Sequence, residues 1–243
     1  MRISRFYLKL DAPLKPGVRV TFPKDTCHYI TRVLRLKSET VIQLFDGLGN
    51  EYSATLLIEK KTASALINKV LSLHTESHLN ITLLQGLSTG QRMDYVIQKS
   101  TELGVSQIVP VITFRSMKNY DVKKQQKKHA HWKNIIINTC EQCGRNKLPT
   151  LQNIQPLEQA LQTYLADLSI VFDIDESTSF KSLTQAENIR LLIGPEGGLS
   201  AEDFAQAKQH RFIASTLGPR ILRTETAPVA AITALQLLWG DMS

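Results

Sequence analysis

Leu192-Ile-Gly-Pro-Glu-Gly-Gly-Leu-Ser200 and Leu217-Gly-Pro-Arg-Ile-Leu-Arg-Thr-Glu-Thr-Ala227 decide how this chain is read. Each stretch follows a short apolar run and leads into a helical pattern, so both are strand–loop–helix junctions. In an open parallel α/β sheet such junctions lie at the carboxyl ends of strands, where ligands bind. Two in succession predict one composite pocket. Gly194, Gly197 and Gly198 let backbone approach a ligand closely, and Pro195 stiffens the entry. Ser200-Ala-Glu-Asp203 has capping-box spacing and predicts a helix starting at Ser200. The loop has no Walker lysine and no G-x-G-x-x-G, and Glu196 would repel a phosphate, so phosphate cradles and ordinary dinucleotide sites are set aside. A carboxylate among glycines suits a neutral or cationic ligand, or a tight turn in which Glu196 pairs with a local arginine.

In the second stretch Gly218-Pro219 breaks the strand. Ile221 and Leu222 are apolar where a loop is expected to be polar, as the wall of a slot for a flat aromatic group would be. Arg220 and Arg223 put positive charge beside them. Thr224 or Thr226 is placed to cap the last helix, whose positive N-terminal end would face the same pocket. The mixture fits an adenine slot with charges for a carboxylate and for RNA phosphate. A well-capped buried helix with surface arginines is also compatible with the spacing.

Upstream of these loops, from about Leu79, strand and helix patterns alternate, which predicts a parallel sheet. Strands are expected at Ile81–Leu87, Gln107–Ile112, Ser169–Ile174, Arg190–Ile193 and Phe212–Leu217. Gly104 is placed to stop the helix that follows the first, and a long basic helix should reach Cys143. A last helix, Pro228–Trp239, is apolar on nearly every face and must be buried all round, in part by a second subunit if the chain dimerises. Residues 1–73 are instead strand-rich, with a hairpin turn at Asp46-Gly-Leu-Gly-Asn50 and one short helix from Asp25 to Leu36. They predict a small β-barrel-like domain, joined through polar His74–His78 to a second domain at 79–243.

No stretch approaches the roughly 18 apolar residues of a membrane span, and the N-terminus lacks a signal-peptide core; a cytoplasmic protein is the expectation. The net charge of +7 favours an anionic partner, most commonly nucleic acid. Cys140-Glu-Gln-Cys143 has C-x-x-C spacing, but without a second pair or a thioredoxin setting it reads as two small helix residues one turn apart.

Gly194-Pro-Glu-Gly-Gly198 together with Leu217–Ala227 closely resembles the RsmE family of SPOUT-class small-subunit ribosomal RNA methyltransferases. The likeness extends over the whole chain through Met1–Tyr7, His28–Arg35, Lys99–Val105 and Glu141-Gln-Cys-Gly-Arg145. It implies S-adenosylmethionine as methyl donor and N3 of a uridine in 16S RNA as acceptor. It further implies a PUA-like N-terminal domain, a C-terminal SPOUT domain with a deep trefoil knot, and a site completed in a homodimer. By position, Leu192, Gly194, Pro195, Glu196, Gly197 and Gly198 would contact the cofactor. So would Leu217, Gly218, Ile221, Leu222, Arg223 and Thr224, with Leu87–Gly90 as a third neighbour.

A uridine N3 is protonated at neutral pH, so a base or nearby positive charge must favour its anion, and the remaining task is in-line alignment. The sulfonium is already activated and needs no metal. Arg145 and Arg223 are the candidate electrostatic stabilisers, and Glu141 or Glu225 the candidate proton acceptor. RNA contacts fall to Arg2, Arg5, Arg32 and Arg35 in the first domain and to Arg115 and Lys118 in the second. The competing readings are a non-catalytic RNA-binding or ribosome-assembly factor, and a methyltransferase acting on tRNA or on a ribose 2′-OH.

Overall fold

The structure, a computed structural model, describes residues 3–10, 12–60, 62–72, 75–116, 122–173 and 178–242. The chain forms two compact units, one of residues 1–76 and 140–148, the other of 77–139 and 149–243. The strip Cys140–Leu148 thus folds with the first unit although the sequence pattern assigns it to the second. Long-range polar contacts cause this. The Glu76 carboxylate accepts from the Arg145 side chain (2.8 and 3.0 Å) and from the Asn146 and Lys147 backbone N–H groups (3.1 Å each).

The first unit holds β1 (Arg5–Tyr7), β2 (Arg19–Thr21), α1 (Lys24–His28), β3 (Val41–Phe45), β4 (Glu51–Glu59) and β5 (Thr62–Leu71). The sheet order is β1-β3-β4-β5-β2; β1 joins β3 in parallel and the other ladders are antiparallel. Alternation puts Ile42, Leu44, Ala54, Leu56, Ala65 and Ile67 on the inner face, where Phe6, Phe22 and Ile30 close the core. The predicted Asp46–Asn50 turn forms because the Asp46 carboxylate accepts from the Leu48 and Asn50 backbone. The helix predicted over Asp25–Leu36 is shorter: α1 has five residues and gives way to a π-helical turn at Tyr29–Val33. Arg32 and Val33 of that turn, and Leu34 and Arg35 after it, are exposed, so no buried face holds them in α-helical register.

After the first unit's strands the chain runs β6 (Asn80–Gly86), α2 (Gly90–Glu102), β7 (Gln107–Ile112), α3 (Val122–Cys143, its last four residues in the first unit), β8 (Thr150–Leu151), β9 (Gln155–Pro156) and α4 (Leu157–Thr163). It continues with β10 (Leu168–Phe172), β11 (Asn188–Ile193), α5 (Ala201–Gln209), β12 (Ile213–Ser215) and α6 (Thr226–Trp239). The strand order is β12-β10-β11-β6-β7-β8, with β9 also on β7, and every ladder is parallel. The central strands are apolar runs, as helix-covered parallel strands must be. Pro110 sits inside β7 without breaking it. Ile108, of the same parity, turns its carbonyl to the β8 side, so the N–H that Pro110 lacks faces the gap between β8 and β9.

One buried cation organises the far side of the sheet. Arg190 in β11 donates to the Leu161 and Tyr164 carbonyls at the end of α4, to the His210 carbonyl after α5, and to Ser169 Oγ (2.6 Å). Its guanidinium lies 4.4 Å from the Phe212 ring centroid. Burial pulls its pKa down, but the carbonyl ends of two helices favour the charge. Arg190→Leu strands those carbonyls without a donor; urea denaturation should show a loss of about 2–4 kcal/mol.

Candidate functional site

Three loops leave the carboxyl ends of β6, β11 and β12, around the point where strand order reverses, and one hydroxyl ties them together. Thr224 Oγ1 donates its single proton to the Gly194 carbonyl (2.6 Å) and accepts from Gln85 Nε2 (3.1 Å). Ser88 Oγ donates to the Gly86 carbonyl (3.2 Å) and stands 3.3 Å from Thr224 Oγ1. Gln85, Ser88 and Thr224 are all buried. The loop backbones touch directly as well: a Cβ on Gly86 would lie 2.6 Å from Pro195 N and 2.9 Å from the Gly194 carbonyl carbon. Gly198 and Gly218 adopt positive φ, +71° and +112°, which their turns require.

Glu196 is the anion of this loop, and its partners come from α2. Its Oε1 accepts from Thr89 N (2.8 Å) and Thr89 Oγ1 (2.7 Å) and pairs with Arg92 Nη1 (3.1 Å). A carboxylate from a distant loop therefore caps a helix whose N-cap residue makes no side-chain cap of its own. Burial pushes the Glu196 carboxyl up, yet the Thr89 hydrogen bonds and Arg92 outweigh it and hold the pKa down at about 2. The alternative in which Glu196 pairs with an arginine is realised, though that arginine lies far away in sequence. Arg92 also stands 3.8 Å from Glu225 Oε2.

These loops enclose a cavity of about 640 Å³. Leu192, Gly194, Pro195, Glu196, Gly197 and Gly198 border it on one side. Leu217, Gly218, Ile221, Leu222, Arg223 and Thr224 border it on the other. Sequence reading missed Phe172 and Asp173, which complete the wall from the end of β10. The strand-end rule that located the loops applied to them equally. Arg115, expected on an RNA face, donates from Nη1 to the Gly197 carbonyl (2.8 Å) and lines the cavity. The capping box is present, Ser200 Oγ and the Asp203 carboxylate exchanging backbone bonds. The Thr224 or Thr226 cap is not: α6 starts after Glu225 with no side-chain cap, because the Thr224 hydroxyl is spent on the loops.

The other candidates have different surroundings. Arg223 is exposed at the cavity, and its carbonyl accepts the Thr226 and Ala227 N–H groups that begin α6. Arg145 and Glu141 belong to the first unit. The Arg145 side chain is buried against Glu76, so its charge is already compensated rather than directed at a ligand. Glu141 accepts from Tyr7 N (2.9 Å), and burial raises its pKa against that bond and Arg5. Arg5 is likewise internal: it pairs with Glu51 (3.0 Å) and donates to the Cys140 and Arg145 carbonyls, which leaves it no free donor face for RNA. Arg32 and Arg35 are exposed. Arg2 and Lys118 lie outside the described residues.

A family model described as an RNA methyltransferase domain matches residues 75–236, and one described as an RNA methyltransferase PUA domain matches 22–68. Ribosomal RNA small subunit methyltransferase E of Buchnera aphidicola subsp. Schizaphis graminum is 39% identical over 247 residues, covering 100% of this chain and 99% of that protein. The chain belongs to the ribosomal RNA small subunit methyltransferase E family. The Bacillus subtilis member is 30% identical, over 98% of this chain and 100% of that one. A crystal structure of the Neisseria gonorrhoeae ribosomal RNA small subunit methyltransferase E bound to S-adenosyl methionine superposes with a TM-score of 0.93, at 39% identity and 100% coverage of both chains.

In this family member the Glu196 clamp has a pH signature. A carboxyl held below its ordinary 4.5 contributes stability that is complete above that value and is lost as pH falls toward about 2. Glu196→Gln should cost about 1 kcal/mol at neutral pH, after solvent screening. Denaturation midpoints measured from pH 6 to pH 2.5 should fall less steeply for the variant than for the parent; parallel profiles count against the clamp.

Proposed function

We propose that the protein transfers the methyl group of S-adenosylmethionine to N3 of a uridine in 16S ribosomal RNA. The observation that carries this reading is the cavity itself: glycine backbone, apolar walls and acidic side chains at the switch point of a parallel sheet, in an RNA methyltransferase chain. Its volume of about 640 Å³ is within the range of small-ligand pockets. The donor set fits the cofactor. Leu192, Ile221 and Leu222 offer the faces an adenine needs, and the Asp173 carboxylate suits a ligand bearing an ammonium and a sulfonium. When bound, that cofactor supplies an electrophilic methyl.

The rest is asked of side chains. Arg223, exposed beside the cavity, stabilises the uridine anion electrostatically. Glu225 is the proton acceptor: among the described residues its Oε2 meets no hydrogen-bond donor, and Arg92 Nε approaches it to 3.8 Å. Exposed Arg32 and Arg35 in the PUA domain contact RNA phosphates, an interaction that weakens with salt. Because N3 lies on the pairing edge, the target uridine must be unpaired or flipped out. The apolar inner face of the first unit's five-stranded sheet supports a barrel-like PUA unit. The loops cross-linked by Thr224 and interlocked at Gly86 support a deep trefoil knot. Leu237 and Leu238 of α6 are exposed, 54% and 46%, which supports burial of that helix in a homodimer. A ribosomal RNA substrate places the protein in the cytoplasm.

Labelled-methyl transfer to small-subunit particles lacking the modification, with the nucleoside identified by mass spectrometry, should give 3-methyluridine. Methylation of a ribose or of tRNA overturns the substrate, and absence of calorimetric heat with the cofactor overturns the enzyme reading. Arg223→Gln should lower kcat by about 10²–10³.

A further inference from the structure

The turn after β7 brings a charged side chain, Arg115, to the cavity. That turn is closed by Ser116 N–H donating to the Thr113 carbonyl (3.1 Å) and by Thr113 N–H donating to Ser116 Oγ (3.1 Å). Phe114 N–H donates to the Asp203 carboxylate (3.2 Å), which pins the turn to the start of α5. Thr113, Ser116 and Asp203 are buried, so the backbone beneath Arg115 is held from both sides.

The side chain is held as well. Its stem lies along the glycine turn of the first loop: a Cβ on Gly197 would stand 3.4 Å from Arg115 Cβ and 3.6 Å from its Cδ. A Cβ on Gly198 would stand 3.8 Å from Arg115 Nη1. Nη1 donates to the Gly197 carbonyl (2.8 Å), and among the described residues this is the hydrogen bond the guanidinium makes. A guanidinium carries several N–H donors in one plane, so the remaining ones belong to an exposed cation already oriented at the cavity wall. The exposed Glu202 carboxylate of α5 senses that charge across solvent.

The other cations bordering the cavity are placed differently. Arg223, at the α6 end, is the stabiliser of the uridine anion in the proposed reaction. Arg220 lies on the exposed stretch Pro219–Ile221, which no hydrogen bond ties down among the described residues. S-adenosylmethionine carries a carboxylate besides its ammonium and sulfonium, and Asp173 suits only the cationic groups. A long side chain that must be ordered on binding costs affinity, and one fixed beforehand does not. Arg115 is the fixed one.

We propose that Arg115 binds the carboxylate of S-adenosylmethionine through the guanidinium donors that Gly197 leaves over, while Nη1 keeps the Gly197 peptide in place. The charge expected to meet RNA thus serves the methyl donor. This rests on S-adenosylmethionine as the donor and is independent of which RNA atom accepts the methyl group.

The test is a cycle of two proteins and two ligands, followed by calorimetry on the full chain without RNA. The ligands are S-adenosylmethionine and its decarboxylated form, which keeps the adenosine, the sulfonium and the amine. The parent should bind S-adenosylmethionine about 10–100-fold more tightly, the span of a hydrogen-bonded contact between charged groups. In Arg115→Gln that preference should vanish, and Arg115→Lys, which keeps the charge without the planar fork, should retain part of it. Equal affinities of the parent for the two ligands overturn the proposal without recourse to any variant. An equal loss of both ligands in Arg115→Gln also overturns it, since Arg115 then acts only by holding Gly197. Unchanged cofactor binding, with the salt slope of RNA binding reduced by about 1, makes Arg115 a phosphate contact and overturns it too. A parent that binds neither ligand removes the methyl-donor reading itself, and the carboxylate site with it.

Discussion

The Thr224 hydroxyl is the contact on which the pocket depends. Carried on the loop after β12, it joins the Gln85 amide at the end of β6 to the Gly194 carbonyl after β11, two buried polar groups from two other strands. Leaving such a group unsatisfied costs about 1–3 kcal/mol, more than a typical surface loop gains from its own packing. The loops therefore hold together or come apart together. Gly86 has the steric counterpart of this role, since no side chain fits between β6 and the Gly194-Pro195 backbone. A cofactor cavity between loops needs this kind of cross-linking, because strand ends alone leave each loop free to move.

Charge is used in two ways in this basic chain. Several ionic groups do internal work: Arg190 gathers the carboxyl ends of two helices, Glu76 collects Arg145 and two backbone amides, and Arg5 bridges Glu51 to the end of α3. Glu196 does the same at the start of α2, acting as the anion that a helix N-terminus attracts. The arginines without such duties, Arg32, Arg35 and Arg223 among them, stay exposed. An arginine in a motif is thus no guide to its partner until its donors are accounted for.

Much of the fold was legible beforehand because it rests on local signals. The alternation from Leu79 onward located β6, β7, β10 and β11 to within a few residues, and Gly104, the Ser200 capping box and the Asp46–Asn50 turn behaved as their local chemistry requires. Local signals misled where a distant group intervened. Thr224 is spaced to cap α6 but is claimed by Gly194. Arg145 looks free in Glu-Gln-Cys-Gly-Arg but is held by Glu76 across the sequence. Asp25–Leu36 has a helical pattern, yet Arg32–Arg35 are exposed and give its end no continuous buried face.

What the sequence determined by itself is the presence and character of the site: two glycine loops at strand ends, no phosphate-binding lysine, a carboxylate among the glycines, and apolar residues where a loop should be polar. These follow from residue type and spacing, which act over a few residues. Only the tertiary structure decided which side chains remain available. Glu196 binds the N-terminus of α2, Arg115 holds Gly197, Phe172 and Asp173 close the wall, and Arg5 and Arg145 are withdrawn into the first unit. The reason is that a hydrogen-bonding group has few bonds to give. Which partner receives them depends on neighbours brought close by folding, many of them a hundred or more residues away.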